Sequence, residues 1–323
     1  MIPGDPQISI VTPTRNRRDA LLRAIRSVRA QTVTEFEHIV IDDGSTDGTS
    51  DAVAGIADPR IVYVALNTWS GANEARNHGI ALARAPIVTF LDSDDEYLPH
   101  RLETTLKIFA LHRDLKLMIS SFQTMKRGQT LDSRNPNGMV SRDVLERTLV
   151  AHSLFIAGSA ITARRDPILA VGGFDPEIRR LQDRDLLLRL ARHSGAFLAH
   201  EMDWIKHASV DSISARPDGF VEAYSELARK HPGMLETYPD LVKYIVARRV
   251  LMNLMRGRLL QGSYDYLANR RSRMFRFGLV ELVRGYVRGK QQRRRIKREL
   301  AADLKPVKAV SLEPRPSPLL SGS

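Results

Sequence analysis

Four short apolar runs, each followed by a new segment, constrain this chain more than any other feature. They are Ile8-Ser9-Ile10-Val11, His38-Ile39-Val40-Ile41, Ile61-Val62-Tyr63-Val64 and Ile87-Val88-Thr89-Phe90-Leu91. Helical patterns over residues 19–30, 46–57 and 71–85 separate them; in the first, Leu21, Leu22, Ile25 and Val28 share a face. Strands this apolar have no solvated side, so the alternation predicts an α/β fold: a mostly parallel sheet flanked by helices. Ligands of such sheets bind beyond the carboxyl ends of the strands. The residues that follow each run are therefore the ones to read for chemistry.

Asp92-Ser93-Asp94-Asp95 follows the fourth run directly. Three carboxylates within four residues repel one another unless a cation neutralises them. Oxygen ligands alone suit Mg²⁺ or Mn²⁺, which take few protein carboxylates and complete their shell with phosphate oxygens and water. The same residues could instead form a solvated turn that caps a helix starting near Pro99. After the second run comes Asp42-Asp43-Gly44-Ser45-Thr46-Asp47. A carboxylate there can accept hydrogen bonds from a base or a ribose, while Ser45 or Thr46 can cap the next helix. Thr46 and Asp47 read as structural and Asp43 as available to a ligand. After the first run, Pro13 in Thr12-Pro13-Thr14-Arg15-Asn16 stops the strand and leaves polar groups at its rim. Arg76, in Ala72-Asn73-Glu74-Ala75-Arg76-Asn77-His78-Gly79, could meet a phosphate or sugar, or form a plain surface salt bridge.

The middle of the chain is less regular. Residues 126–139 read as a loop, residues 157–163 as a strand, and Gly172-Gly173-Phe174-Asp175 as a turn. Residues 183–193 read as a helix with Leu186, Leu187 and Leu190 on one side, and the pattern from Pro239 onward is helical and basic.

In order and spacing these segments closely resemble family 2 glycosyltransferases of the GT-A fold. The runs Ile10-Val11-Thr12-Pro13-Thr14-Arg15-Asn16, Val40-Ile41-Asp42-Asp43-Gly44-Ser45, Ala75-Arg76-Asn77-His78-Gly79 and Phe90-Leu91-Asp92-Ser93-Asp94-Asp95 carry the likeness. It continues in Gly172-Gly173-Phe174-Asp175 and Gln182-Asp183-Arg184-Asp185, covering roughly residues 6–215. The resemblance implies an inverting, metal-dependent transferase of hexosyl type. It would use a nucleotide-sugar donor, UDP-sugar first, with Mn²⁺ or Mg²⁺, and act on a saccharide or lipid-linked acceptor in surface polysaccharide or glycolipid synthesis. Thr12, Pro13 and Arg15 would line the nucleotide pocket, Asp43 would contact the base, and Arg76 would lie near the donor. Asp92, Asp94 and Asp95 would form the DxD-type motif, with Asp94 and Asp95 serving ribose and metal and His207 near the diphosphate as a further metal ligand. A Ser follows His207 in the family pattern, here Ser212 or Ser214. Asp183 would be the catalytic base; Gln182 departs from the Glu usual beside it. The implied organisation is a catalytic domain over residues 1–215, a basic helical region over 216–305 and a disordered tail over 306–323.

The net charge is +12, yet residues 241–298 alone hold seventeen Lys or Arg against Asp265 and Glu281. The basic character therefore belongs to the C-terminal segment. Over Met274 to Arg288, Phe275, Leu279, Leu282, Val283 and Tyr286 align as a helical stripe. The polybasic run Arg293-Arg294-Arg295-Ile296-Lys297-Arg298 reads as a contact for an anionic membrane surface. With no cysteine, no signal-peptide pattern and no apolar run long enough to span a bilayer, the expected location is cytoplasmic, peripheral on the inner face of the cytoplasmic membrane. A nucleotidyltransferase acting on sugar phosphates would need a glycine-bearing phosphate loop where Thr12 to Asn16 stand. A nucleic-acid-binding protein would need aromatic interleaving that the basic segment lacks, so no nucleic acid partner is expected. A catalytically inactive scaffold would have no use for Asp43, Asp94, Asp95 and Asp183 together.

Overall fold

The computed structural model describes residues 4–126, 128–208 and 219–305. The first half follows the alternation read from the sequence: β1 (Ile8–Thr14), α1 (Arg18–Arg29), β2 (Phe36–Asp42), α2 (Thr49–Ala54), β3 (Ile61–Ala65), α3 (Ala72–Leu82) and β4 (Ile87–Phe90). Next come β5 (Glu96–Tyr97), α4 (Arg101–Leu111), β6 (Leu117–Lys126), β7 (Gln129–Ser133), β8 (Gly138–Val140) and α5 (Arg142–Val150). They are followed by β9 (Ile161–Arg164), α6 (Arg165–Ala170), α7 (Gln182–Ala191) and β10 (Ala196–His207). The C-terminal helices are α8 (Phe220–Lys230), α9 (Gly233–Thr237), α10 (Pro239–Met255), α11 (Leu259–Arg271) and α12 (Leu279–Asp303).

One sheet runs in the order β3-β2-β1-β4-β9-β6-β10-β5, with β7 on β6 and β8 on β10. Every residue of β1, β2 and β4 is buried, as strands covered on both faces require. The parallel arrangement holds from β3 to β4. Beyond β4 the sheet is mixed, because β9 runs antiparallel between β4 and β6. Two antiparallel steps restore the original direction, and β10 is parallel to β6. The carboxyl ends of β1, β2, β4 and β10 therefore all open on one edge of the sheet. That edge receives the polar motifs after β1, β2 and β4 together with His207 at the end of β10.

Several expectations change. The helix expected over residues 46–57 is the six-residue α2. Asp47, not Ser45 or Thr46, secures its start, accepting hydrogen bonds from the Thr49 amide at 3.2 Å and hydroxyl at 2.5 Å. The expected loop over 126–139 contains β7, whose residues are nearly all exposed and so carry no apolar signal. The expected helix from Met274 begins only at Leu279, and its stripe is divided: Phe275 and Leu282 are buried, while Leu279 and Val283 are exposed. The buried face of α12 is Leu282, Gly285, Gly289, Ile296 and Leu300. At Gly289 a Cβ would lie 2.3 Å from the Asp240 carbonyl oxygen and 2.4 Å from Tyr244 Cβ, so α12 docks on α10 through glycine. A search for apolar side chains cannot see such a face.

The polybasic run also divides. Arg293 turns inward and donates to the carbonyls of Ala151 at 2.9 Å and His152 at 2.8 Å. Ile296 is buried and Arg295 pairs with Glu299 at 2.9 Å. Arg294, Arg295, Lys297 and Arg298 are exposed, so part of the run faces outward. Among the described residues no helix is long and apolar enough to cross a membrane. One apolar cluster extends from Ile8 to Leu300, so the C-terminal helices share the core of the sheet. The expected boundary near residue 215, Ser212, Ser214 and the tail over 306–323 lie outside the described residues.

Helix α3 packs on β1 through Gly79, where a Cβ would stand 2.3 Å from Val11 Cγ1 and 3.3 Å from Val11 Cβ. Alanine would gain up to about 1 kcal/mol in helix propensity. Overpacking against a β-branched side chain in a full core costs about 1–3 kcal/mol and should win. Gly79→Ala is therefore expected to lower the unfolding midpoint in urea, and Val11→Ala should be less damaging in that background than in wild type. Additive effects of the two substitutions would show that Gly79 does not set the spacing.

Candidate active site

Helix α3 supplies the organising cation. Arg76 is 4% exposed on its inward face, so the reading as a surface salt bridge is corrected. Its guanidinium donates to Asp92 Oδ1 at 2.6 Å and lies 5.2 Å over the Phe174 ring. The neighbouring amides fix the turn that presents Phe174. Asn77 donates to the Phe174 carbonyl and accepts from its amide, both at 2.8 Å, and Asn73 donates to the carbonyls of Asp175 and Ile178. Gly173 has φ +67°, and a Cβ there would come within 2.4 Å of Asn77 Oδ1. Two motifs nearly a hundred residues apart in sequence are thus one packed unit.

The acidic turn after β4 sends its three carboxylates to different places. Asp92 is paired with Arg76; burial opposes its charge, but Arg76 and Lys206 hold its pKa below the ordinary aspartate value. Asp95 is 1% exposed and accepts from Ser159 Oγ at 2.7 Å and the His207 amide at 3.2 Å. Burial, with Asp92 beside it, pushes Asp95 well above the ordinary value. Asp94 is part-buried and meets Arg17 Nη1 at 2.7 Å. His207 Nε2 lies 2.6 Å from Glu96 Oε1.

Asp183 stands in the first turn of α7, and its Oδ1 is buried with no hydrogen-bond partner. Burial raises its pKa; Arg76 pulls the other way and Asp92 adds to the rise. Asp185 is spent on structure, accepting from Arg189 and lying 2.9 Å from His231 Nε2. The pairing of Arg189 with Asp185 one turn on is the one the spacing allows.

A cleft of about 590 Å³ opens on the same edge, lined by Asn16, Arg17, Arg18, Arg23, Asp94 and His207, among others. Asp183 does not line it. Asp94 is the one residue of the acidic turn in the cleft wall, with three arginines of α1 and the loop before it close by. Among the described residues no group of three or more His, Asp or Glu side chains is arranged to hold a metal ion alone. That donor set fits a Mg²⁺ or Mn²⁺ ion bound through one carboxylate, Asp94, with His207 near and substrate phosphates completing the shell. Asp92 is paired with Arg76, and Asp95 is enclosed by Ser159 and the His207 amide, which leaves Asp94 as the carboxylate of the turn that lines the cleft.

The remaining expected donor residues lie around β1 and β2. Asp43 is buried; its Oδ1 accepts from the Ser70 amide and hydroxyl and its Oδ2 from the Gly71 amide, at 2.7–2.8 Å. It therefore orders the loop that leads into α3. The Thr12 hydroxyl is fully buried, 2.9 Å from His38 Nε2, and Pro13 is buried in the sheet opposite Ile41. Neither side chain lines the cleft. Arg15 is exposed, with its guanidinium 5.1 Å over the Trp69 ring.

Sequence reasoning missed Lys206, Ser159 and Arg17. Burial works against the Lys206 ammonium, but Asp95, Asp92, Asp183 and Asp94 together hold its pKa above the ordinary lysine value. The available signal was its position beside His207 at the end of a strand, which the focus on the acidic motifs passed over. Ser159 sits in a short 3₁₀ turn, Gly158–Ala160, that no periodicity marks.

The geometry agrees with what is similar to this chain. The family model described as Glycosyl transferase family 2 matches residues 9–170. The putative colanic acid biosynthesis glycosyl transferase WcaA of Escherichia coli (strain K12) is 30% identical over 239 residues, 71% of this chain and 82% of WcaA. Among solved structures, S. aureus TarS 1–349 in complex with UDP-GlcNAc superposes with a TM-score of 0.66 at 16% identity, covering 91% of this chain and 92% of that one. The mannosyltransferase PcManGT from Pyrobaculum calidifontis, in complex with GDP-Man and Mn²⁺, gives a TM-score of 0.56 at 16% identity over 93% of this chain and 84% of its own. A sheet of this order, an acidic turn locked by a helix arginine and the matched sequence together make this chain a GT-A-fold member of glycosyl transferase family 2.

Proposed function

We propose that the chain transfers a sugar, with inversion, from a nucleoside diphosphate donor to an acceptor hydroxyl in the synthesis of a surface polysaccharide or glycolipid. The observation that carries this reading is Asp183: a buried carboxylate oxygen without a partner, among Arg76, Asp92 and Lys206, on the edge where Asp94 lines a cleft with Arg17, Arg18 and Arg23. The name of WcaA supports the polysaccharide, and the complexes of TarS and PcManGT support a nucleotide-sugar donor. UDP-sugars are the first donors to test, because TarS with UDP-GlcNAc superposes more closely than PcManGT with GDP-Man.

The chemistry needs few groups. The acceptor oxygen attacks the anomeric carbon from the side opposite the diphosphate, so one displacement inverts that centre. Asp183 takes the hydroxyl proton as the bond forms; its raised pKa brings its basicity closer to neutral pH, where a general base works best. Arg17, Arg18 and Arg23 offer the diphosphate its cations, and Asp43 would meet the nucleoside beside the loop it orders. A divalent ion bound through Asp94 would supply positive charge at the leaving phosphate.

Two predictions test the assignment. Asp183→Asn keeps the shape of the side chain but cannot accept the proton. Transfer should fall by about 10²–10⁴ while titration calorimetry finds donor affinity near wild type. In wild type the rate should decline on acidification while the pH is still above the usual aspartate range, because the base works only when ionised. A rate independent of pH across that range, or an active Asp183→Asn enzyme, would put the base elsewhere.

Asp94→Asn should remove the part of nucleotide diphosphate affinity that depends on Mn²⁺. Asp95→Asn should retain that part, because Asp95 is enclosed by Ser159 and His207. Calorimetry with and without Mn²⁺ decides: equal metal dependence in wild type and Asp94→Asn would remove Asp94 from the metal site.

A further inference from the structure

The outer face of α12 carries an arrangement that the sequence run alone did not show. The helix is 25 residues long, about 37 Å at the usual rise. It packs on α10 and α5 through Leu282, Gly285, Gly289, Ile296 and Leu300, with Arg293 turned inward beside them. At about 100° per residue, Val280, Val283, Val287, Arg294 and Arg298 fall on the opposite side. Val280 is 63% exposed, Val283 49% and Val287 53%, in three successive turns. Arg284, Arg288 and Lys290 flank them and are exposed. Between Glu281 and Glu299 the helix contains no acid. Three β-branched apolar side chains on the solvated side of a helix are unfavourable in water and add nothing to helix propensity.

We propose that this outer face docks on an anionic lipid bilayer surface, with α12 lying in the membrane plane. The charge is complementary to acidic headgroups, and the valines reach the boundary between headgroups and acyl chains. A second copy of the chain is a poor occupant, because two such faces would set arginine against arginine. Nucleic acid would satisfy the cations but leave the valines in water. The surface is distinct from the donor cleft, and nothing in its argument depends on the proposed sugar transfer. It replaces the polybasic run as the membrane contact, using Arg284, Arg288 and the valines outside that run and leaving out the inward Arg293.

Co-sedimentation of the full chain with phosphatidylcholine vesicles, with and without phosphatidylglycerol, tests this at physiological salt. Wild type should bind only the anionic vesicles. Arg284→Gln, Arg288→Gln and Arg294→Gln together should weaken binding roughly a hundredfold, at about fivefold for each basic residue. Val280→Ser, Val283→Ser and Val287→Ser together should weaken it by about tenfold or more. A control that removes Arg113 and Lys116, exposed before β6, should bind as wild type. The proposal is overturned by wild type that ignores anionic vesicles, by undiminished binding of the valine variant, or by an equal loss in the control. It is equally overturned by a dimer that the valine changes dissolve, which would make the face a contact between copies, or by binding to random duplex DNA in place of vesicles.

Discussion

The site depends on the neutralisation of carboxylates crowded at one edge of the sheet. Asp92, Asp94, Asp95 and Asp183 converge there, and Arg17, Arg76 and Lys206 are the cations set against them. Arg76 matters most, because it is buried and paired with Asp92; removing one member of such a pair leaves a charge without compensation. The demands on α3 follow. Its inward face must be close enough to the end of β4 for the guanidinium to reach, which Gly79 permits against Val11. Its amides must hold the Gly172–Asp175 turn, so that Phe174 covers the arginine. Burial takes these carboxylates out of water and opposes their charge even with cations beside them. Burial first, with Asp92 beside them second, raises the pKa values of both Asp95 and Asp183. A region in that state gains by accepting a proton or a cation, and the proposed chemistry asks for both.

The first half of the fold was legible because its strands are apolar throughout and its motifs stand directly after them. The same clarity made the acidic turn visible but not its internal division. Three aspartates in sequence look alike; only the packing shows Asp92 held by Arg76, Asp95 enclosed by Ser159 and His207, and Asp94 left to the cleft. Asp43 was legible as a ligand candidate and proves also to order the Ser70–Gly71 backbone, a role no spacing reveals across so many residues. Lys206 was hidden for the opposite reason. A lysine near the end of an amphipathic strand is ordinary until β10 is known to run in the same direction as β4, which needs the two antiparallel steps through β9.

The second half was less legible because its contacts use features that hydrophobic patterns omit. Edge strand β7 is mostly exposed, so nothing apolar marks it. The contact of α12 with α10 uses glycines, so the apolar stripe is split between the two faces, with Leu282 buried and Leu279 and Val283 exposed.

These C-terminal helices are coupled to the site through the end of α5. Arg184, next to the proposed base in α7, donates to the Leu149 carbonyl, and Arg293 of α12 donates to the carbonyls of Ala151 and His152. Two cations, one from α7 and one from α12, thus meet the negative end of one helix dipole. Burial, followed by Arg184 and Arg293, drives the pKa of His152 well below the ordinary value, so this histidine is neutral in the crowd of arginines. A charged histidine there would add a fourth positive group beside Arg184, Arg293 and Arg248. The neutral ring instead packs edge-on against Tyr224 of α8, closing the gap between the catalytic sheet and the helices that follow it. The position of Asp183 is therefore set from two directions. The acidic cluster and Arg76 act on its carboxylate, and the α5 terminus, clamped by Arg184 and Arg293, holds its helix.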